Sequence, residues 1–167
     1  EEQASALYDM LALGAIKYYL MKVDPRKRML FNPAESIEFQ GNTGPFIQYT
    51  HARISAILRK ASQLGVNLDP SLLEGFENAQ EVEKELIQLM SLYPEKVNLA
   101  AEQYAPSVIA QYVYDLAKAY NRFYTELSIF NEADDLIQHF RVALSALCAE
   151  TIRKCLGLLG IEAPNRM

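Results

Sequence analysis

Between Lys17 and Lys60 the chain carries eight cations (Lys17, Lys22, Arg26, Lys27, Arg28, Arg53, Arg59 and Lys60) against Asp24, Glu35 and Glu38, a local charge of +5. Tyr18, Tyr19, Phe31, Phe39, Phe46 and Tyr49 are interleaved with them. Cations attract phosphates and ring faces stack unpaired bases, so this mixture has the chemistry of a single-stranded nucleic-acid site. The same residues also suit a solvated charged face laid over a packed aromatic core. The segment from Asp69 to Glu102 is the counterpart, with eight acids against Lys84 and Lys96, a local charge of −6.

Other chemistry is thinly represented. The chain has no Gly-rich phosphate loop, nucleophile elbow, paired-Cys zinc spacing or His-Glu-x-x-His. His51 and His139 stand alone, which suits packed or surface histidines, and neither follows a glutamate by three as a di-iron bundle requires. Asp134-Asp135 falls early in a helical segment, where acids favour the helix dipole. Cys148 and Cys155 lie seven apart on one helical stretch, about 10 Å along its axis, too far for a disulfide. They read as two small apolar side chains on a buried face, reduced as in the cytosol. No catalytic constellation emerges.

The elements that must position the basic, aromatic segment are helical. The 167 residues are 50% hydrophobic with a net charge of −5, enough for one domain with a sizeable core. No apolar run approaches the roughly 20 residues of a membrane-spanning helix. From Ser5 to Val23, Leu7, Leu11, Ala15, Tyr18 and Tyr19 recur at helical spacing until Asp24-Pro25. Residues 26–44 are irregular, with room for one short helical turn. A helix then opens at Pro45 behind Thr43 and Gly44 and ends at Gly65, with Ile47, Ile54, Ile57, Leu58 and Leu64 inward. Asn67 to Pro70 begins a loop. Val82, Leu86, Leu89, Met90 and Tyr93 mark an acidic-faced helix closed by Pro94, and a shorter helix over 95–104 precedes Pro106. Two long apolar patterns finish the chain: Val108 to Leu127, and Leu136 to Leu159 through Ile137, Phe140, Leu144, Leu147, Thr151, Ile152 and Leu156. Strand alternation is nearly absent, so the fold class is all-α, a bundle of five or six helices.

Residues 41–60, Gly-Asn-Thr-Gly-Pro-Phe-Ile-Gln-Tyr-Thr-His-Ala-Arg-Ile-Ser-Ala-Ile-Leu-Arg-Lys, closely resemble the start of the anticodon-binding domain of arginyl-tRNA synthetases. The resemblance continues through Ala119-Tyr120-Asn121-Arg122-Phe123-Tyr124, and from Arg141 to the closing Gly160-Ile-Glu-Ala-Pro-Asn-Arg-Met167. It implies that residues 36–167 form an α-helical anticodon-binding domain and that 1–35 are the end and connecting segment of a catalytic domain lying upstream of Glu1. It further implies recognition of the tRNA(Arg) anticodon within a cytoplasmic enzyme that ligates arginine to tRNA using ATP, with Mg. That reaction's cofactors would not be held by this piece, and its partner would be RNA, neither DNA nor a membrane. The family generally needs tRNA in place before it activates arginine, which makes such a bundle a regulator of chemistry elsewhere.

Carried onto matching positions, the resemblance assigns Phe46, Tyr49, Arg53, Arg59, Tyr124 and Met167 to anticodon binding. Phe46 stands where many relatives have tyrosine, and Asn165 where a glutamate is usual. The residues by themselves leave alternatives open. Tyr49 suits core packing at a helix start, and Arg59 with Lys60 suits a solvated helix end. Arg141 is placed to pair with Asp134 or Asp135, and Asn121 to serve as a hydrogen-bonding post between helices. A reading from another class is a helical protein-interaction scaffold docking through the acidic helix 80–92.

Overall fold

Two glycines let the first two long helices cross at close range. The computed structural model describes residues 2–66 and 76–167. Helix α1 (Glu2–Met21) meets α3 (Gly44–Gln63) where a Cβ on Gly44 would stand 2.6 Å from the Gly14 carbonyl oxygen. Any larger residue at 44 would push the helices apart. A four-residue helix, α2 (Pro33–Ser36), lies between them and starts where the Asn32 side chain accepts from the Ala34 and Glu35 amides. At the start of α3, Thr43 Oγ1 accepts from the Phe46 amide and Pro45 takes the second helical position, where no N–H is needed. The predicted α3 is thereby present, opening one residue earlier than its proline.

Helix α3 packs against α1, α6 (Pro106–Glu126) and α7 (Asp135–Leu158), while α4 (Glu81–Ser91) and α5 (Tyr93–Gln103) lie against α6. Among the described residues there are six helices of eleven or more residues, the short α2, and no strand. Ile47, Ile54, Leu86, Leu116, Tyr120, Phe123, Ile152 and Leu156 are fully buried where these faces meet. Each such side chain contributes about 1.5–3 kcal/mol through the water it sheds. Hydroxyls of buried tyrosines cross-tie the layers: Tyr112 donates to the Leu89 carbonyl of α4 at 2.9 Å, and Tyr120 to Ser145 Oγ of α7 at 3.0 Å. Cys148 and Cys155 are free and buried among these layers, and burial pushes the Cys155 thiol up to about 12.

Some sequence expectations need correction. Pro94 does not close α4; it sits in the first turn of α5, where its missing N–H costs nothing, and α4 ends at Ser91. Leu64 and Leu147 are exposed, because Ala61 and Cys148 occupy the inward rows that the apolar spacing gave them. The loop expected from Asn67 lies outside the described residues.

Arg141 does not pair with Asp134 or Asp135. Asp134 instead caps α7, accepting from the Leu136 amide, and Arg141 reaches across the bundle. Its Nε donates to Glu83 Oε1 of α4 at 2.7 Å, and its Nη1 to Glu132 Oε2 at 2.8 Å and the Ser128 carbonyl at 2.6 Å. Glu83 also accepts from the Gln80 amide, closing a capping box at the start of α4. Among the described residues no helix is long and apolar enough to cross a membrane.

Candidate nucleic-acid interface

One edge of α3 presents Tyr49 and Arg53 a single helical turn apart, and α6 brings Tyr124 to the other side of the arginine. The Arg53 guanidinium carbon lies 4.9 Å from the Tyr49 ring centroid and 5.1 Å from that of Tyr124. Arg53 Nη1 donates to Asn121 Oδ1. The Asn121 amide is fixed in turn, donating through Nδ2 to Thr50 Oγ1 at 2.8 Å and to the Ala117 carbonyl at 2.9 Å. Asn121 is thus the post between helices that its mid-helix position suggested, and it holds the guanidinium. Both rings remain open to solvent, Tyr49 at 42% and Tyr124 at 43% exposure. Tyr49 is therefore not core.

Met167 reaches the same place because the last residues are strapped along α3. After Leu159 the chain turns at Gly160, whose φ of +66° is the left-handed conformation glycine accepts without strain. Lys17 Nζ donates to the Gly160 carbonyl at 2.5 Å and Gln48 Nε2 to that of Glu162 at 2.9 Å. His51 Nδ1 donates to the Pro164 carbonyl at 2.9 Å, which fixes the tautomer, since a carbonyl only accepts. Arg59 Nη1 donates to the Asn165 carbonyl at 2.8 Å, and Ser55 Oγ to its side chain at 3.4 Å. Most of these bonds go to main-chain carbonyls. The Arg59 contact is to the main chain of Asn165 and does not depend on that residue's side chain.

Tyr49, Arg53, Arg59, Tyr124, Arg166 and Met167 together line a cavity of about 560 Å³. Met167 is 42% exposed there. Phe46 lies half-buried against Tyr114, ring centroids 5.7 Å apart, and lines an adjoining apolar hollow of about 780 Å³ with Tyr8, Phe39, Tyr49 and Met167. The structure thus gathers all six residues singled out from the sequence on one face. Arg59 divides its role, since one of its nitrogens holds the chain end.

Gln48, His51 and Ser55 were not recognised as part of this arrangement. The signal was present in outline: three polar residues at helical spacing beside an apolar stripe. Their targets are backbone carbonyls, which leave no mark in the sequence. Among the described residues Arg53, Arg59 and Lys60 form no ion pair, whereas Arg122, Arg141 and Arg153 each hold a carboxylate at 2.7–2.8 Å. The face therefore offers unneutralised cations beside open rings, a combination that can bind phosphate and stack a base.

The chain is 50% identical over its whole length to an arginine–tRNA ligase of Bacteroides thetaiotaomicron, of which it covers 28%. Among solved structures, Thermus thermophilus arginyl-tRNA synthetase superposes with a TM-score of 0.81 at 33% identity, covering 95% of this chain and 27% of that one. The arginyl-tRNA synthetase of Plasmodium falciparum shares the fold, with a TM-score of 0.85 at 22% identity over 97% of this chain and 28% of that one. The chain thus spans just over a quarter of the length of these relatives. The profile of the DALR anticodon-binding domain matches residues 47–167, well over half of the sequence and including every residue from Tyr49 to Met167 that forms this face: the chain belongs to the DALR anticodon-binding domain family.

Proposed function

We propose that this face receives the unpaired nucleotides of the tRNA(Arg) anticodon loop, and that the chain is the anticodon-gripping part of a longer arginine–tRNA ligase. The observation that carries the proposal is Arg53, held between two exposed tyrosine rings with no carboxylate partner among the described residues, while Met167 is strapped into the same cavity. A base stacks on Tyr49 or Tyr124, the guanidinium binds phosphate or a base edge, and the methionine packs softly against the ring system. On this reading residues 1–35 end the preceding catalytic domain, and the ATP, Mg and arginine of the ligation belong to that part of the enzyme. Among the described residues no group of three or more His, Cys, Asp or Glu side chains could hold a metal ion. The partner is RNA in the cytoplasm, neither DNA nor a membrane.

The scaffold reading has less to work with. The acids of α4 are engaged internally: Glu81 with Lys84, Glu83 with Arg141 and Glu85 with Arg122. Titration with an arginine anticodon stem-loop at two salt concentrations separates the readings. RNA affinity should fall steeply with salt, and Tyr49→Ala should cost about 1–3 kcal/mol of binding. Wild-type affinity in a folded Tyr49→Ala removes that ring from the site.

A further inference from the structure

Met167 is brought to its cavity by a strap that is anchored to α1, outside the residues 47–167 that the family profile matches. Two side chains make that link. Lys17 of α1 holds the Gly160 carbonyl directly, and the fully buried Gln48 of α3 holds two carbonyls at once, that of Glu162 in the strap at 2.9 Å and that of Met10 in α1 at 3.4 Å. Carbonyls only accept, so the Gln48 amide must turn its Nε2 toward both. Its Oε1 is then buried without a donor among the described residues. An unpaired buried acceptor costs free energy that an apolar side chain at this position would not incur, so the amide is explained by what Nε2 holds. Helix α1 makes room for it. A Cβ on Gly14 would stand 2.5 Å from Nε2, 2.7 Å from Oε1 and 2.8 Å from Cδ. Gly14, inside a helix that glycine by itself weakens, is the socket for this amide.

We propose that Gln48, seated on Gly14, is a positioning residue for RNA binding: it locks the strap to α1 in the register that delivers Met167 beside Arg53, although the amide itself is out of reach of RNA. The inference rests on the RNA-binding reading above. Gln48, His51, Ser55 and Arg59 follow one another at spacings of three, four and four, so they form a ladder along one face of α3. Its rungs meet Glu162, Pro164 and Asn165 in chain order. Gln48 is the first rung, and it also binds a second helix. Releasing it frees the strap from α1 at the point where the ladder's register is set, and the misplacement is carried to the chain end.

Gly14→Ala and Gln48→Leu test this from the two sides of the contact. Gly14→Ala favours the α1 helix and meets only the end of a flexible side chain, which it pushes from its socket. Gln48→Leu removes both donors and keeps an apolar plug. The reference is the chain shortened by Met167 alone. With carbon-13 methyl methionine, the Met167 signal, identified by its loss from the shortened chain, should move in both variants from a ring-shifted position to that of a free chain end. Affinity for the arginine anticodon stem-loop should fall about five- to tenfold in the complete chain and by less than about twofold in the shortened one, which has no Met167 to misplace. An unmoved Met167 signal in a variant that urea unfolding shows to be folded overturns the proposal. So does an equal loss of affinity in the complete and shortened chains, the result of a general effect on the fold. A moved signal with undiminished affinity, while Tyr49→Ala binds weakly, refutes the positioning role and leaves the RNA-binding reading standing. A parent chain that does not bind the stem-loop removes both. Should Gln48→Leu fail to fold, Gly14→Ala carries the test alone.

Discussion

Arg141 in α7 is 2% exposed and spends its guanidinium on Glu83, Glu132 and the Ser128 carbonyl, whereas Arg53 in α3 meets two tyrosine rings and the oxygen of one amide. Both side chains are held by their neighbours, but by neighbours of different electrical character. A cation taken out of water must be matched by opposite charge and hydrogen bonds, and the Arg141 knot does this while tying α4, the α6–α7 connection and α7 together. Arg53 stays at the surface, where rings and an amide can fix its direction without cancelling its charge. The first arrangement leaves nothing to offer a ligand. The second is a positioned, unneutralised cation, which is what a phosphate or a base edge requires.

The contrast is open to direct attack. The largest effect is expected from Arg141→Ala, which leaves Glu83 buried, at 1% exposure, without its partner. It should destabilise the chain by about 3–5 kcal/mol in urea unfolding. Arg53→Ala should leave stability within about 1 kcal/mol of the parent and act on RNA affinity instead. Equal losses of stability from the two would erase the distinction drawn here.

A sharper probe converts one arginine's surroundings into the other's. Ala56 is exposed, three residues after Arg53 and four before Lys60. Ala56→Glu places a carboxylate within reach of both cations on the same helix face. The expected result is an RNA affinity lowered about tenfold or more, with stability unchanged or raised by about 0.2–0.5 kcal/mol. Undiminished RNA binding in this variant would show that the charge of Arg53 and Lys60 is not what the face offers.

The smallest effect concerns the strap that brings Met167 to Arg53. Burial holds the His51 pKa below the ordinary 6.5, outweighing the Pro164 carbonyl that favours the proton; Arg153 lowers it slightly and Glu150 raises it slightly. The unfolded chain therefore binds more protons than the folded one. Stability from this residue is intact above pH 6.5 and is lost as pH falls from there through the lowered folded value. His51→Gln keeps a donor for the Pro164 carbonyl and removes the titration. The difference between urea midpoints at pH 7.5 and 5.5 should shrink in that variant, and an unchanged difference would assign the pH dependence to another group.

Much of the scaffold was legible because helices are local. The spacing of Ile47, Ile54 and Ile57, the Thr43 cap and the prolines placed α3 and its neighbours to within a few residues, since periodicity and capping depend only on residues a turn or so apart. The errors came where several apolar residues competed for one inward row, as at Leu64 and Leu147, because packing and not hydrophobicity chooses among them. That Phe46, Tyr49, Arg53, Arg59, Tyr124 and Met167 share one face was legible mainly through resemblance to a family. Composition alone reached only the statement that rings and cations were interleaved.

By itself the sequence determined that Tyr49 and Arg53 share a helix face, because a separation of four residues dictates that in any α-helix. It also set the net positive charge of the segment that carries them. Only the tertiary structure decided that Tyr124 closes on Arg53 from α6, that main-chain carbonyls of the last residues are threaded along Gln48, His51 and Arg59, and that Arg141 is neutralised by α4 instead of by its own helix start. Those contacts join elements far apart in the chain through packing of the whole core, and many of their acceptors are backbone oxygens that every residue possesses alike.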